Sequence, residues 1–142
     1  MSDDSSLQAF IAETGESAFA VKIDVSGHSL KGDEPISGGG ENLGPAPFDL
    51  LTAALGECTA MTVRWYAKQK KWPLDKVEVK MTYHKGEVEL GGPKTDIFTK
   101  EVFIYGDALT PEQRTKLMDV AGKCPVHRTL EATPVIKTIE AK

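Results

Sequence analysis

One uninterrupted helical pattern, from Pro47 to Lys70, constrains this chain more than any other stretch. Pro47 suits the first position of a helix, because its missing N–H has no helical partner there. Asp49 falls in the first turn, where a carboxylate complements the positive end of the helix dipole. The pattern ends at Trp72-Pro73, since the residue before a proline disfavours helical backbone. A helix of this length must bury one face, which the rest of the chain has to cover.

Cys58 lies at the centre of the apolar face of this helix. At 100° per residue, most side chains within about 60° of Cys58 are apolar: Leu51, Ala54, Leu55, Met61, Thr62 and Trp65. We therefore predict that Cys58 faces the core or a partner subunit and is not a surface thiol.

The rest of the chain predicts strands joined by turns and one further helix. Apolar and polar residues alternate most clearly over residues 77–84, the pattern of a half-buried strand. Thr110, Pro111 and Gln113 fit a capping box that starts a helix, and Gly122 fits its end, near Ala121. Further strands are predicted at residues 7–14, 17–25, 28–31, 97–105 and 133–140, a hairpin turn at Ser26-Gly27, and loops at residues 32–47 and 85–96. This order predicts an α+β fold in a single domain, residues 1–142.

Composition excludes several classes of function. The net charge is −4 and the Lys and Arg residues form no basic run, which argues against nucleic-acid binding. No apolar stretch reaches the roughly 20 residues that span a bilayer, so no membrane partner is expected. The acidic N-terminus lacks the pattern of a signal peptide, and the expected location is cytoplasmic. In that compartment two cysteines are more often catalytic, redox-active or metal-binding than permanently paired.

The two cysteines, Cys58 and Cys124, are far apart in sequence, so only the fold can bring them together. If it does, a thiolate could attack the O–O bond of a hydroperoxide and become a sulfenic acid, which the second thiol would convert to a disulfide. An external dithiol would restore both thiols, and apolar walls would favour organic hydroperoxides. Cys124 follows the C-terminal end of the second predicted helix, where the dipole disfavours a thiolate. This reasoning makes Cys58 the attacking thiol and Cys124 the resolving thiol.

Other interpretations of these residues stay open. Both cysteines could be inert core residues. His127 follows Cys124 as a Cys-x-x-His half-site, but Cys58 would leave a zinc site short of a fourth ligand, so no metal is expected. His127 and Arg128 are candidates to stabilise a thiolate. A thiol hydrolase would need a strand before its nucleophile, whereas a helix is predicted before Cys58.

Three segments resemble the OsmC/Ohr family of osmotically inducible and organic-hydroperoxide-resistance proteins. They are GPAPFDLLTAALGECTAMTVRWYA, WPLDKVEVKMTYH and KCPVHRTL, and the last places the chain near the OsmC-like branch. The resemblance implies an intertwined homodimer with sheets wrapped around long central helices. It also implies thiol peroxidase activity without a cofactor, with Cys58 peroxidatic and Cys124 resolving. In the Ohr branch the reductant is a lipoyl dithiol, which makes a dithiol the implied partner here.

The sequence departs from the family where the peroxidatic thiolate is activated. The family pairs an N-terminal arginine with a glutamate near the start of the long helix, but no arginine precedes Arg64 here. Lys22 is the candidate replacement, although lysine lacks the forked geometry of arginine. Asp49 stands nearest the acidic position, on the opposite side of a straight helix from Cys58. The absent arginine sustains an alternative function, a non-catalytic dimer that binds an apolar small molecule in the cysteine pocket.

Overall fold

The N-terminal strands form one antiparallel sheet in the computed structural model, which describes residues 6–141. They pair in chain order: β1 (Ala9–Glu13), β2 (Val21–Val25) and β3 (His28–Gly32). Ser26 and Gly27 connect β2 to β3 at positive φ, with Val25 paired to His28, as a two-residue hairpin requires. The predicted hairpin turn is confirmed.

The chain divides into two units, one ending at Ala53 and the other beginning at Ala54. The prediction of a single domain over residues 1–142 stays a prediction, and residues 1–5 and 142 lie outside the described part. In the first unit a loop with a short 3₁₀ helix, Ile36–Gly38, follows β3.

Asp33 organises this loop of the first unit. Its buried carboxylate accepts four hydrogen bonds, from Ser17 Oγ (2.8 Å) and from the backbone N–H groups of Glu34 (2.8 Å), Glu41 (3.1 Å) and Leu43 (3.3 Å). One carboxylate thereby ties together Ser17 and three backbone groups of the loop.

The long helix α1 spans Pro47–Lys70, as the sequence predicts. Asp49 Oδ2 accepts a hydrogen bond from the Ala46 N–H over 2.9 Å, which satisfies a donor at the helix start. Lys71 follows with φ at 58°, the left-handed conformation that commonly ends a helix.

A long hairpin, β4 (Lys76–Glu87) and β5 (Lys94–Tyr105), belongs to the second unit. Its ladder runs from the Lys76–Tyr105 pair to the Glu87–Lys94 pair. The strands are longer than the sequence predicts, since they take up both ends of the predicted loop at residues 85–96. Buried and exposed positions stop alternating at His84 and Lys85, which are both exposed, so only the backbone ladder marks these last pairs as strand.

Two helices complete the second unit, α2 (Pro111–Ala121) and α3 (Pro125–Glu131). The predicted capping box of α2 is present, with Thr110 and Gln113 bonded reciprocally. α3 is not predicted by the sequence. The predicted strand at residues 133–140 is wrong, because these residues form neither helix nor strand and are all exposed. Residues 133–140 have no neighbouring strand in the described chain to pair with.

The core of the second unit lies between α1, α2 and the hairpin. Its buried residues are Val63, Ala67, Leu74, Leu109, Leu117 and Ala121. Outside this core, an open groove of about 420 Å³ runs along α1, lined by Ala60, Met61, Arg64, Trp65 and residues 75–77. No helix within residues 6–141 is long and apolar enough to cross a membrane. The antiparallel sheets and three helices confirm the predicted α+β class.

Candidate functional site

Two free cysteines share one buried cluster in the second unit. Cys58, on α1, is 9% exposed, and Cys124 is 0% exposed. The apolar side chains that pack with them are Leu55, Met81, Phe98 and Val126. The fold therefore brings the two thiols together between apolar walls, although they are far apart in sequence.

The first turn of α3 gives each sulfur a hydrogen-bond donor. The Val126 N–H donates to Cys58 Sγ over 3.4 Å, and the His127 N–H donates to Cys124 Sγ over 3.4 Å. Cys124 is the N-cap of α3, with extended backbone at φ −68° and ψ 155°. Its sulfur fills the acceptor role that a Ser, Thr, Asp or Asn oxygen usually has at an N-cap.

This placement corrects the sequence-based argument about Cys124. From the sequence, the sulfur was predicted to face only the negative C-terminal end of α2. In the structure Cys124 also starts a further helix, and the free N–H groups there favour a negatively charged sulfur. This second helix start was not predicted, because a cysteine is an uncommon N-cap and Pro125 at N1 is the only start signal.

Two threonines of α1 place hydroxyl groups beside the sulfurs. Thr59 Oγ1 lies 3.6 Å from Cys124 Sγ, and Thr62 Oγ1 lies 4.0 Å from Cys58 Sγ. Thr59 also donates to the Leu55 carbonyl over 2.8 Å. Because a hydroxyl has one hydrogen, Thr59 can accept from a Cys124 thiol in this arrangement, or turn and donate to a thiolate.

Lys100 on β5 brings a positive charge to Cys124. Its Nζ donates to the Ala121 carbonyl over 2.8 Å and to His127 Nδ1 over 2.8 Å, and it lies 3.8 Å from Cys124 Sγ. An ammonium group has three hydrogens, so these three partners match its full donor capacity. Lys100 is half-buried, which strengthens its interaction with the sulfur relative to a surface pair.

His127 links Lys100 to an acidic residue. A lysine ammonium cannot accept a hydrogen bond, so His127 Nδ1 must be the acceptor and Nε2 must carry the ring hydrogen of the neutral imidazole. Nε2 lies 3.2 Å from Glu131 Oε2, one turn further along α3. The order Glu131, His127, Lys100, Cys124 is thus a continuous chain of polar contacts.

These surroundings give the two thiols different acidities. Burial raises the pKa of Cys58, and contact with Cys124 raises it further. The hydrogen bonds from Val126 and Thr62 lower the pKa but do not cancel this rise. Burial alone would also raise the pKa of Cys124. The hydrogen bonds of Thr59 and His127, the Cys58 thiol and the charge of Lys100 outweigh it, and the pKa of Cys124 is lowered. Cys124 is therefore the more acidic thiol of the pair.

Lys100 is the functional candidate that the sequence analysis missed. It was detectable from strand alternation: Phe98, Lys100, Val102 and Ile104 occupy the half-buried face of β5. A lysine at an inward position of such a strand needs buried partners. Its partners lie on α2 and α3, and α3 was not predicted.

The other predicted site residues lie in different settings. Asp49 lies in the first turn of α1 and accepts a hydrogen bond from the Ala46 N–H, so its contact in this structure is with the start of the helix. Arg128 is exposed on the last turn of α3. Lys22, the candidate replacement for the arginine, is exposed on β2 and forms a surface ion pair with Asp24 at 3.7 Å. Among residues 6–141, no three His, Cys, Asp or Glu side chains are grouped to hold a metal.

Comparison with known proteins identifies the relatives of this fold. The family model described as OsmC-like protein matches residues 38–139. An OsmC-like protein from Mycoplasma pneumoniae is 17% identical with a TM-score of 0.71, covering 91% of this chain and 89% of that one. An organic hydroperoxide resistance protein OsmC from Legionella pneumophila is 17% identical with a TM-score of 0.67, covering 91% of each chain.

A third solved structure, an organic hydroperoxide resistance protein from Elizabethkingia anophelis, is 20% identical with a TM-score of 0.66, covering 91% of this chain and 90% of that one. No curated protein matches the chain in a sequence search. At these identities the solved structures show a shared fold, which confirms the predicted OsmC-like architecture.

Proposed function

This chain belongs to the OsmC-like protein family, and from that premise we propose that it is a thiol-dependent peroxidase that reduces organic hydroperoxides. The observation that carries the proposal is the pair of free thiols, Cys58 and Cys124, packed in one buried cluster. Two structural relatives are named for organic hydroperoxide resistance, which favours this substrate class. Oxidative-stress defence is the corresponding physiological role.

In the proposed reaction Cys58 is the peroxidatic residue. Cys58 is the more exposed of the two residues, so a peroxide entering the cluster meets it first. Attack of the Cys58 thiolate on the O–O bond gives a sulfenic acid and an alcohol. Cys124 then attacks the sulfenic acid, so that a disulfide forms and water leaves. Apolar neighbours such as Leu55 and Phe98 favour an alkyl or aryl peroxide over hydrogen peroxide.

The proposed partners follow from this reaction. An external dithiol, of the lipoyl type or similar, reduces the Cys58–Cys124 disulfide by exchange. A second copy of the chain completes the homodimer. No cofactor is needed, because the two electrons come from the two thiols.

A non-catalytic binding protein is the competing function. The raised pKa of Cys58 favours it, because only a thiolate attacks a peroxide. Such a protein would show no turnover, but an apolar ligand would raise its thermal unfolding temperature.

The test is consumption of cumene hydroperoxide with dithiothreitol or dihydrolipoamide as reductant. We expect turnover by the wild type, loss of turnover in Cys58→Ser, and accumulation of a Cys58 sulfenic acid in Cys124→Ser. A dimedone-type probe with mass spectrometry detects that sulfenic acid.

One control variant makes the result specific. Exposed Ser29→Ala on β3 should keep the wild-type rate. Equal rates in the wild type and Cys58→Ser would sink the peroxidase mechanism. Absent turnover, combined with a raised unfolding temperature in an apolar peroxide analogue, would favour the binding protein.

A further inference from the structure

The geometry around Lys100 points to how this chain activates its thiols without the N-terminal arginine of its family. We propose that Lys100 holds Cys124 as a thiolate, and that this thiolate accepts the proton of Cys58 as Cys58 attacks the peroxide. The inference rests on the proposed function and adds three residues to it: Lys100 as a catalytic residue, and His127 and Glu131 as positioning residues.

The first support is the complete set of partners around the Lys100 ammonium. Two of its hydrogens go to strong acceptors at 2.8 Å, the Ala121 carbonyl and His127 Nδ1. The third faces Cys124 Sγ at 3.8 Å. A neutral thiol is a weak acceptor, whereas a thiolate satisfies this donor and neutralises the charge.

The second support is the way the chain fixes the lysine. His127 Nε2–H donates to Glu131 Oε2 at 3.2 Å, which holds the tautomer whose Nδ1 accepts from Lys100. The same residue, His127, also donates its backbone N–H to Cys124 Sγ. One α3 residue therefore positions both the cation and the sulfur.

The third support is the contrast between the two sulfurs. The titratable groups that face Cys124 are Cys58 from α1, Lys100 from β5 and His127 from α3, and the Thr59 hydroxyl of α1 lies beside them. Cys58 has no cation among its described hydrogen-bond partners, which are the Val126 N–H and the Thr62 hydroxyl. Cys58 thus needs a base, and the neighbouring Cys124 thiolate is in place to be one.

The steps balance as follows. The proton of the Cys58 thiol moves to the Cys124 thiolate while Cys58 Sγ bonds to the terminal oxygen of the hydroperoxide and the O–O bond breaks. The alkoxide that leaves takes the proton from Cys124, giving the alcohol, a Cys58 sulfenic acid and a renewed Cys124 thiolate. That thiolate then forms the S–S bond, and the hydroxide that leaves takes a solvent proton to become water. Two thiols lose two electrons, and the hydroperoxide gains them.

The thiolate assignment is tested without any peroxide. In a Cys58→Ser background, the ultraviolet absorbance of the Cys124 thiolate is titrated against pH, with the Cys58→Ser/Cys124→Ser protein as the blank for tyrosines. Adding Lys100→Met should raise the midpoint by about one to three pH units, the usual effect of removing an adjacent opposite charge. Adding Lys100→Arg should keep it low, and His127→Phe should raise it by less than Lys100→Met.

Matched controls make this titration decisive. Lys80→Met removes an exposed lysine from the neighbouring strand and should leave the midpoint unchanged. Circular dichroism establishes that each variant is folded, and His127→Phe reads out the same contact if Lys100→Met does not fold. A midpoint that is equal in the parent, Lys100→Met and His127→Phe overturns the assignment, whatever the turnover.

The base role is tested in a single turnover, by the rate of the first oxidation of Cys58. If Cys124 serves only as the resolving thiol, the peroxide oxidises Cys58 in the Cys124→Ser variant at the wild-type rate. That result overturns the base role. If Cys124 is the base, the first oxidation slows on the order of 10²-fold. Lys100→Met should also slow the first oxidation of Cys58, and the rate should recover as pH rises, because a higher pH ionises Cys124 without the lysine. A wild type that consumes no peroxide would defeat the proposed function, while the titration would still decide the thiolate assignment.

Discussion

Asp33 and Lys100 are charged side chains that the fold keeps from bulk water by matching them with partners. Asp33 accepts four hydrogen bonds, and Lys100 donates toward three acceptors. Burial alone would raise the pKa of Asp33, but its hydrogen bonds to Ser17 and to three backbone N–H groups outweigh it and lower the pKa. Individual residues of this kind therefore make stability and reactivity depend on pH.

Asp33→Asn should lower the free energy of unfolding, and the loss should depend on pH. Because the folded-state pKa is the lower one, the stabilisation is complete above the unfolded-state pKa, about 3.9, and disappears as pH falls through the folded-state pKa. Urea unfolding at a series of pH values should show the gap between wild type and Asp33→Asn widest near neutral pH and narrowing in acid. Glu41→Gln, an exposed acid of the same loop, should follow the wild type. A gap that does not change with pH contradicts the assignment.

At the scale of elements, helices with a long apolar stripe or a capping box were predictable from the sequence, and the short helix α3 was not. α1 was predicted to the residue because a proline marks its start and its apolar stripe repeats over many turns. α2 was predicted because three residues, Thr110, Pro111 and Gln113, carry the signals of its capping box and first turn. α3 is short, and its cap is a cysteine, so no local signal marked it. Residues 133–140 were predicted as a strand, but a strand needs a partner, which a local pattern does not supply.

The candidate site was predictable only in part for the same reason. Cys58 followed from the helix face, and Cys124 from its motif. Lys100 stands at an inward position of β5, visible in the alternation, but its partners depend on α3. The predicted effect of the helix dipole on Cys124 was wrong because Cys124 follows the C-terminal end of α2 but also starts α3, and only α2 was predicted.

Thr110→Ala should weaken α2 measurably. The substitution removes the hydroxyl that accepts the Gln113 N–H over 3.1 Å, at a cost of about 1 kcal/mol in the free energy of unfolding. Thr110→Ser keeps the acceptor and is expected to stay near the wild type. The midpoints of urea unfolding, compared at an unchanged m-value, measure the difference. An equal loss of unfolding free energy in the two variants would show that the capping hydrogen bond does not contribute.

At the scale of the whole molecule, apolar side chains along α1 are left open to solvent within the single chain. Met61 is 53% exposed and Trp65 45% exposed, both in the open groove. Both also belong to the apolar stripe centred on Cys58, which the sequence assigns to the core or a partner subunit. A homodimer, which the family resemblance implies, would cover this surface.

Trp65→Asp should therefore disrupt the proposed homodimer. We expect the wild type to sediment with the mass of two chains and Trp65→Asp with the mass of one, because an aspartate in an apolar interface would be buried unpaired. Met118→Asp places the same charge on an exposed methionine of α2, outside the groove, and should leave the mass at two chains. A wild type that sediments as one chain at micromolar concentration contradicts the dimer.

The packing of Cys124 beside Cys58 bears on how the protein would survive high doses of oxidant. A sulfenic acid on Cys58 can be captured by its neighbour or be oxidised again to a sulfinic acid, which is irreversible for most thiols. Capture is intramolecular, whereas the second oxidation has to admit another peroxide molecule to Cys58, a residue that is only 9% exposed. Repeated exposure would then exhaust the supply of dithiol long before it inactivated the chain, and recovery would require only fresh reductant, not new protein synthesis.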